Sequence, residues 1–148
     1  MNLLDYPLHD TGFAERFCAL HGDDYRFVPE LGWLRWDGRC WLIDRTKTVI
    51  ESICHAVART GAQVDVLPPK EAEPVIRACA RYQDTARLYA VEKRLQTMRS
   101  IAVAPETLNA DPWLLSHAGG TVDLRAGTTR DHDRADLITR CEIGRAHV

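Results

Sequence analysis

The sequence predicts an α+β fold in which central amphipathic helices are flanked by small antiparallel β-hairpins. Apolar residues recur at helical spacing through the middle of the chain, between about residues 46 and 99. Ahead of them, aromatic and β-branched runs are split by Asp37-Gly38, a strong two-residue hairpin signal. After Ile101 the texture turns loop-rich, and a second hairpin pattern appears. A length of 148 residues, 45% of them hydrophobic and 27% charged, suits a globular domain with a real core.

Taken in order, Thr11 is placed to cap a short helix from about Phe13 to His21, which Gly22 ends. Phe13, Phe17 and Leu20 form its apolar stripe. Tyr25–Val28, Gly32–Trp36 and Arg39–Ile43 read as strands. The hairpin brings Trp33 and Trp41 near one another. Those rings could stack on bases, but packing against an adjoining helix is the favoured reading, because so large an apolar surface is costly to expose.

Val49, Ile50, Ile53, Cys54 and Val57 predict an amphipathic helix over 46–60, stopped by Gly61. Pro68-Pro69 excludes helix from the following connector. A helix then opens at Pro69 or Lys70 and runs to about Tyr82. Gln83-Asp84-Thr85 caps another reaching about Arg99, with Ala86, Tyr89, Ala90, Leu95 and Met98 as its apolar stripe. Further on, Trp113-Leu-Leu115 offers an apolar anchor. Thr121–Leu124 and Thr128–Arg130 flank Arg125-Ala-Gly127 as the second hairpin, and Asp136–Thr139 is the last predicted strand. No internal repeat or low-complexity tract interrupts the pattern.

The net charge of -2 and pI near 6.3 give no global argument for nucleic acid, so any such case rests on local clustering. Cys18, Cys40, Cys54, Cys79 and Cys141 form no CxxC pair. They are expected to be free thiols of a reducing cytoplasm, neither zinc ligands nor a disulfide framework. The acidic, proline-bearing N-terminus is unlike a signal peptide, and no apolar run is long enough to cross a bilayer. A cytoplasmic protein without membrane contact is expected.

Motifs that carry chemistry are missing. GxxxxGK followed by Ser or Thr, HExxH, GxSxG and GxGxxG do not occur. The histidines lack metal-ligand spacing; His55 reads as a surface or capping residue, and Asp131-His132-Asp133 as a solvated loop. No catalytic residues and no metal ligands are assigned. The positive feature is a concentration of cations over residues 77–99 of the two middle helices: Arg77, Arg81, Arg87, Lys93, Arg94 and Arg99, against Asp84 and Glu92 in that span. Arg77 and Arg81 share a helix face. Such residues could contact phosphates without reading bases; from composition alone a solvated face whose stems cover the core is the favoured reading, because the overall charge is negative.

Three blocks resemble the region that precedes the motor in phage and plasmid primase–helicases, relatives of the poxvirus-type primase–helicases. Thr11-Gly-Phe-Ala-Glu-Arg-Phe17 resembles the family's opening motif. Gly32-Trp-Leu-Arg-Trp-Asp-Gly-Arg-Cys-Trp41 resembles its tryptophan-rich hairpin. Leu108–Leu115, Gly120–Leu124 and Asp136–Thr139 resemble its closing block. Phe13, Ser116 and Gly119 stand where the family tends to have asparagine.

The resemblance covers roughly residues 10 to 141. It implies an N-terminal extension over 1–10 and a pre-motor domain over 11–141 that serves DNA replication without being catalytic itself. ATP and Mg are implied only for a superfamily 3 helicase domain that follows this region in the family. DNA, through its phosphate backbone, and that helicase domain are the implied partners, with self-association a further expectation. The alternative is a structural module that docks protein without DNA affinity. Residues 142–148, Glu142-Ile-Gly-Arg-Ala-His-Val148, have no family counterpart. They match the peptide that a common sequencing adapter encodes, so a non-native tail after a truncated domain is expected.

Overall fold

The computed structural model describes residues 2–142 and is α+β. It consists of two compact units, one built from residues 2–22 and 45–102, the other from 23–44 and 103–142. The expected tail lies outside the described residues, apart from Glu142.

The first unit is helical: α1 (Asp10–His21), α2 (Thr48–Ala62), α3 (Pro69–Arg81) and α4 (Thr85–Leu95). Helices α1, α2 and α4 pack on one another, and α3 packs on α2. Phe13, Phe17, Val49, Ile53, Val57, Val91 and Leu95 fill the core at 1% exposure or less. The N-cap of α1 is His9 and not Thr11; its Nδ1 accepts from the Gly12 N–H at 3.3 Å. Gly61 does not stop α2, which runs to Ala62. Helix α3 opens with Pro69 at its first position, where a missing N–H costs nothing.

Helix α4 departs most from expectation. Its buried face is Leu88, Val91 and Leu95, while Ala86 and Tyr89 are exposed, and it ends at Leu95 and not near Arg99. Spacing of three and four residues with larger side chains outweighs the alanine-based stripe, because a Leu or Val removes far more apolar surface from water than an Ala.

The N-terminal segment is fastened to this unit by Arg16. Fully buried, its guanidinium donates to the carbonyl oxygens of Leu3 (2.8 Å), Tyr6 (2.5 Å) and Pro7 (2.6 Å) and lies 4.5 Å from the Phe13 ring centre. Gly12 permits this approach, since a Cβ there would collide with the Pro7 carbonyl. Phe13 stacks on Tyr82 at 4.2 Å. The opening motif is thus a packing device.

The second unit holds two sheets. Strands β1 (Tyr25–Val28), β2 (Gly32–Trp36) and β3 (Trp41–Ile43) form an antiparallel meander. Strands β4 (Leu114–His117), β5 (Gly120–Asp123) and β6 (Thr128–Arg130) pair antiparallel in series, and β7 (Cys141–Glu142) adds in parallel to β4. The predicted second hairpin is β5–β6. The predicted strand at Asp136–Thr139 is absent: this segment is irregular, its Leu137 and Ile138 carbonyls accepting from Asn109 N–H and Trp41 N–H.

In the first sheet Trp36, not Trp33, pairs with Trp41, the rings 5.5 Å apart; Trp33 pairs with Phe27 instead. The connection is longer than two residues. Residues 37–40 form it, and the Asp37 carboxylate accepts from Arg39 N–H (2.8 Å) and Cys40 N–H (2.9 Å), with Gly38 at φ 101°. Trp41 is a core residue as expected, but its buried neighbours Val28 and Leu34 come from its own sheet and not from an adjoining helix. Trp113, by contrast, is no buried anchor but 49% exposed.

Two histidine and cysteine readings also change. Cys40 and Cys141 are joined in a disulfide with Cα atoms 6.2 Å apart, leaving Cys18, Cys54 and Cys79 as thiols. The fold brings together cysteines whose separation in sequence suggested no partnership. His132 is not simply solvated. Its Nδ1 lies 3.3 Å from both Ser116 Oγ and Thr121 Oγ1, and its Nε2 is buried without a partner among the described residues. Exposed His55 meets His21 across α1 and α2, Nδ1 to Nε2 at 2.8 Å.

Candidate nucleic-acid interface

All the cations singled out in the sequence belong to the helical unit, and all are exposed. The structure gathers three of them. Arg81, at the end of α3, and Arg87, in the first turn of α4, lie 5.9 and 6.0 Å from the centre of the Tyr82 ring. Arg94 follows Arg87 by two helical turns on α4, so the two share a side of the helix. Their counterparts are neighbours at the start of α1: Arg87 pairs with Asp10 at 3.7 Å, and Arg94 Nε donates to Thr11 Oγ1 at 3.1 Å. Arg94 is braced further by Thr97 Oγ1 at 2.8 Å.

Asp10 also accepts a 2.5 Å hydrogen bond from the Tyr82 hydroxyl. Burial, with the Asp10 carboxylate adding to it, pushes the Tyr82 phenol up to about 12. Tyr82 therefore stays a neutral donor that turns Asp10 inward, partly engaging the carboxylate that would otherwise oppose an incoming anion. Tyr82 and Gln83 also border a groove of about 330 Å³ with Cys54, Val57 and Ala58.

The remaining cations stand apart. Arg77 shares the exposed side of α3 with Arg81, but Glu73 holds it in an i, i+4 pair. Lys93 projects from α4 about a third of a turn away from Arg94. Arg99 lies beyond the helix. Neither Lys93 nor Arg99 has an ion-pair partner among the described residues. Helical periodicity could relate Arg87 to Arg94. It could not show that Asp10, Thr11 and Tyr82 would meet them.

Among the described residues, no group of three or more His, Cys, Asp or Glu side chains could hold a metal ion, and no helix is long and apolar enough to cross a membrane.

Comparison with known families assigns the chain a class. The family described as D5 N terminal like matches residues 14–143. The chain belongs to that family, the N-terminal region of D5-type primase–helicase proteins. No curated protein matches the chain.

Proposed function

We propose that this chain is a non-catalytic N-terminal region of a phage or plasmid DNA primase–helicase that contacts the DNA phosphate backbone through its helical unit and helps position a helicase motor. The observation that carries the DNA contact is the placing of Arg87 and Arg94 against the start of α1, with Arg81 beside Tyr82, whose hydroxyl is bonded to the Asp10 carboxylate there. Arg77, Lys93 and Arg99 supply outlying contacts, Arg77 the weakest because Glu73 competes for it. ATP and Mg belong to the motor in this reading, and this chain binds neither.

Guanidinium groups on one side of a helix neutralise phosphates without reading bases. Binding is therefore sequence-independent and weakens steeply with salt. Fluorescence anisotropy with short single- and double-stranded DNA at low and moderate salt tests this. The triple variant Arg81→Ala, Arg87→Ala, Arg94→Ala should lose about two to three units of salt slope. Salt-insensitive association with protein instead, or no DNA binding by the folded chain, would favour the docking module.

A further inference from the structure

The chain has four tryptophans, and three are packed in or against the first sheet of the second unit. Trp113 is the exception. It is 49% exposed and has no ring partner among the described residues. Its carbonyl accepts from Leu124 N–H at 2.9 Å, extending the β4–β5 ladder by one pair. Alternation along that ladder puts Trp113, Leu115 and Leu124 on one face. Leu115 and Leu124 are 44% and 53% exposed, so the face is an uncovered apolar strip.

Leu115 also lines a cleft of about 250 Å³ with Asn109, Asp111, Pro112, Leu114, Ile138 and Arg140. The polar groups of this cleft are unequal. Asn109 is fully engaged with Thr139, through its side-chain oxygen and amide nitrogen. Asp111 is held by Arg125 at 2.7 Å and by Trp113 N–H at 3.0 Å, so its charge is neutralised. Arg140 is exposed and has no ion-pair partner among the described residues, whereas Arg125, Arg130 and Arg134 of the same unit each hold a carboxylate.

We propose that this face binds an unpaired nucleotide of single-stranded nucleic acid. The base stacks on Trp113 with Leu115 and Leu124 at its edge, and a backbone phosphate is taken by Arg140. A half-exposed indole on the face of Leu115, with an uncommitted guanidinium in the cleft that Leu115 also lines, offers both needs of a single strand, a π-surface and a counter-charge. A duplex offers the phosphate but keeps its bases stacked. The inference rests on the DNA-binding reading but uses different residues in the other unit.

Anisotropy of the full chain with labelled oligo(dT) and with a duplex of the same length is the test. Trp113→Ala should weaken oligo(dT) binding by about tenfold or more, with duplex binding unchanged. Trp113→Phe should keep most of the affinity. Arg140→Ala should lower the salt slope for oligo(dT) by about one. Circular dichroism of each variant guards against unfolding.

Unchanged oligo(dT) binding in Trp113→Ala, with loss in the Arg81, Arg87 and Arg94 triple variant, would overturn this site and leave the helical contact standing. The reverse pattern would support the site and sink the helical contact. No binding by any folded sample overturns both. A Trp113→Ala variant that changes only self-association in sedimentation would mark the face as a protein contact and overturn the proposal.

Discussion

The Tyr82 hydroxyl donates a 2.5 Å hydrogen bond to the Asp10 carboxylate, tying the end of α3 to the first turn of α1. Tyr82 is 2% exposed and stacks on Phe13. Tyr82→Phe keeps the ring and loses the bond, which should cost about 1–2 kcal/mol, toward the low end for a charged acceptor because Asp10 still reaches water. Alkaline pH adds a sharper signature. The folded-state phenol is raised from its ordinary 10.0 to about 12, so the folded chain keeps a proton that the unfolded chain releases. That stabilisation is complete below pH 10, and is lost as pH rises from about 10 to about 12. Urea midpoints measured across this range should fall for the parent chain and fall less for Tyr82→Phe.

Arg16 should be intolerant of its usual replacement. An ammonium group cannot reproduce the planar fan that reaches the Leu3, Tyr6 and Pro7 carbonyls. Arg16→Lys is expected to cost roughly 2 kcal/mol or more, from carbonyls left under-satisfied and a buried cation poorly paired. Gly12→Ala should loosen the same segment, since the added methyl meets the Pro7 carbonyl. Limited proteolysis should then cut ahead of α1 in both variants, at protease levels the parent chain resists.

Much of this fold was legible because its signals are local. Glycine, proline and period-3.6 patterning located all four helices, and the aromatic runs located the first sheet. What failed depended on partners distant in sequence. Trp36 and not Trp33 faces Trp41, because the Asp37 side chain organises a longer turn and so shifts the register. Asp136–Thr139 has a strand-like composition, yet its carbonyls serve Asn109 and Trp41, and β7 forms at Cys141–Glu142 instead. On α4, small alanines imitated an apolar stripe while Leu88, Val91 and Leu95 made the real one. The cations were visible as residue types, but the meeting of Arg87 with Asp10 and of Arg94 with Thr11 is a tertiary fact. Trp113 was legible as a residue and misread as an anchor.

The Cys40–Cys141 disulfide closes a sequence separation of 101 residues within the second unit. In the chain-entropy account a loop of that size contributes about 4–5 kcal/mol, through restriction of the unfolded chain. Reduction should therefore lower the melting temperature, and Cys40→Ser should match the reduced parent and show no further response to reductant. Cys54→Ser, at an exposed thiol, should melt like the parent. Peptide mapping without reductant should recover residues 40 and 141 in one linked species. Two separate alkylated peptides would refute the linkage.

The two tryptophans that face each other across β2 and β3 should differ in energetic weight. Trp41 is 1% exposed, packs with Val28 and Leu34, and donates through Nε1 to the Arg134 carbonyl at 3.0 Å. Trp36 is half-buried and carries the Arg134 guanidinium 5.7 Å from its ring centre. Trp41→Ala opens a cavity in a small core and removes one of the two donors to the Arg134 carbonyl, which keeps the Leu137 N–H, and about 3–5 kcal/mol should be lost. Trp41→Phe keeps most of the volume, so the loss should shrink to the missing hydrogen bond and a smaller void. Trp36→Ala leaves its site open to water, and a loss nearer 1–2 kcal/mol follows from partial burial. Equal losses at the two positions in chemical denaturation would mean that the indole pair, and not burial of Trp41, sets the stability of this sheet.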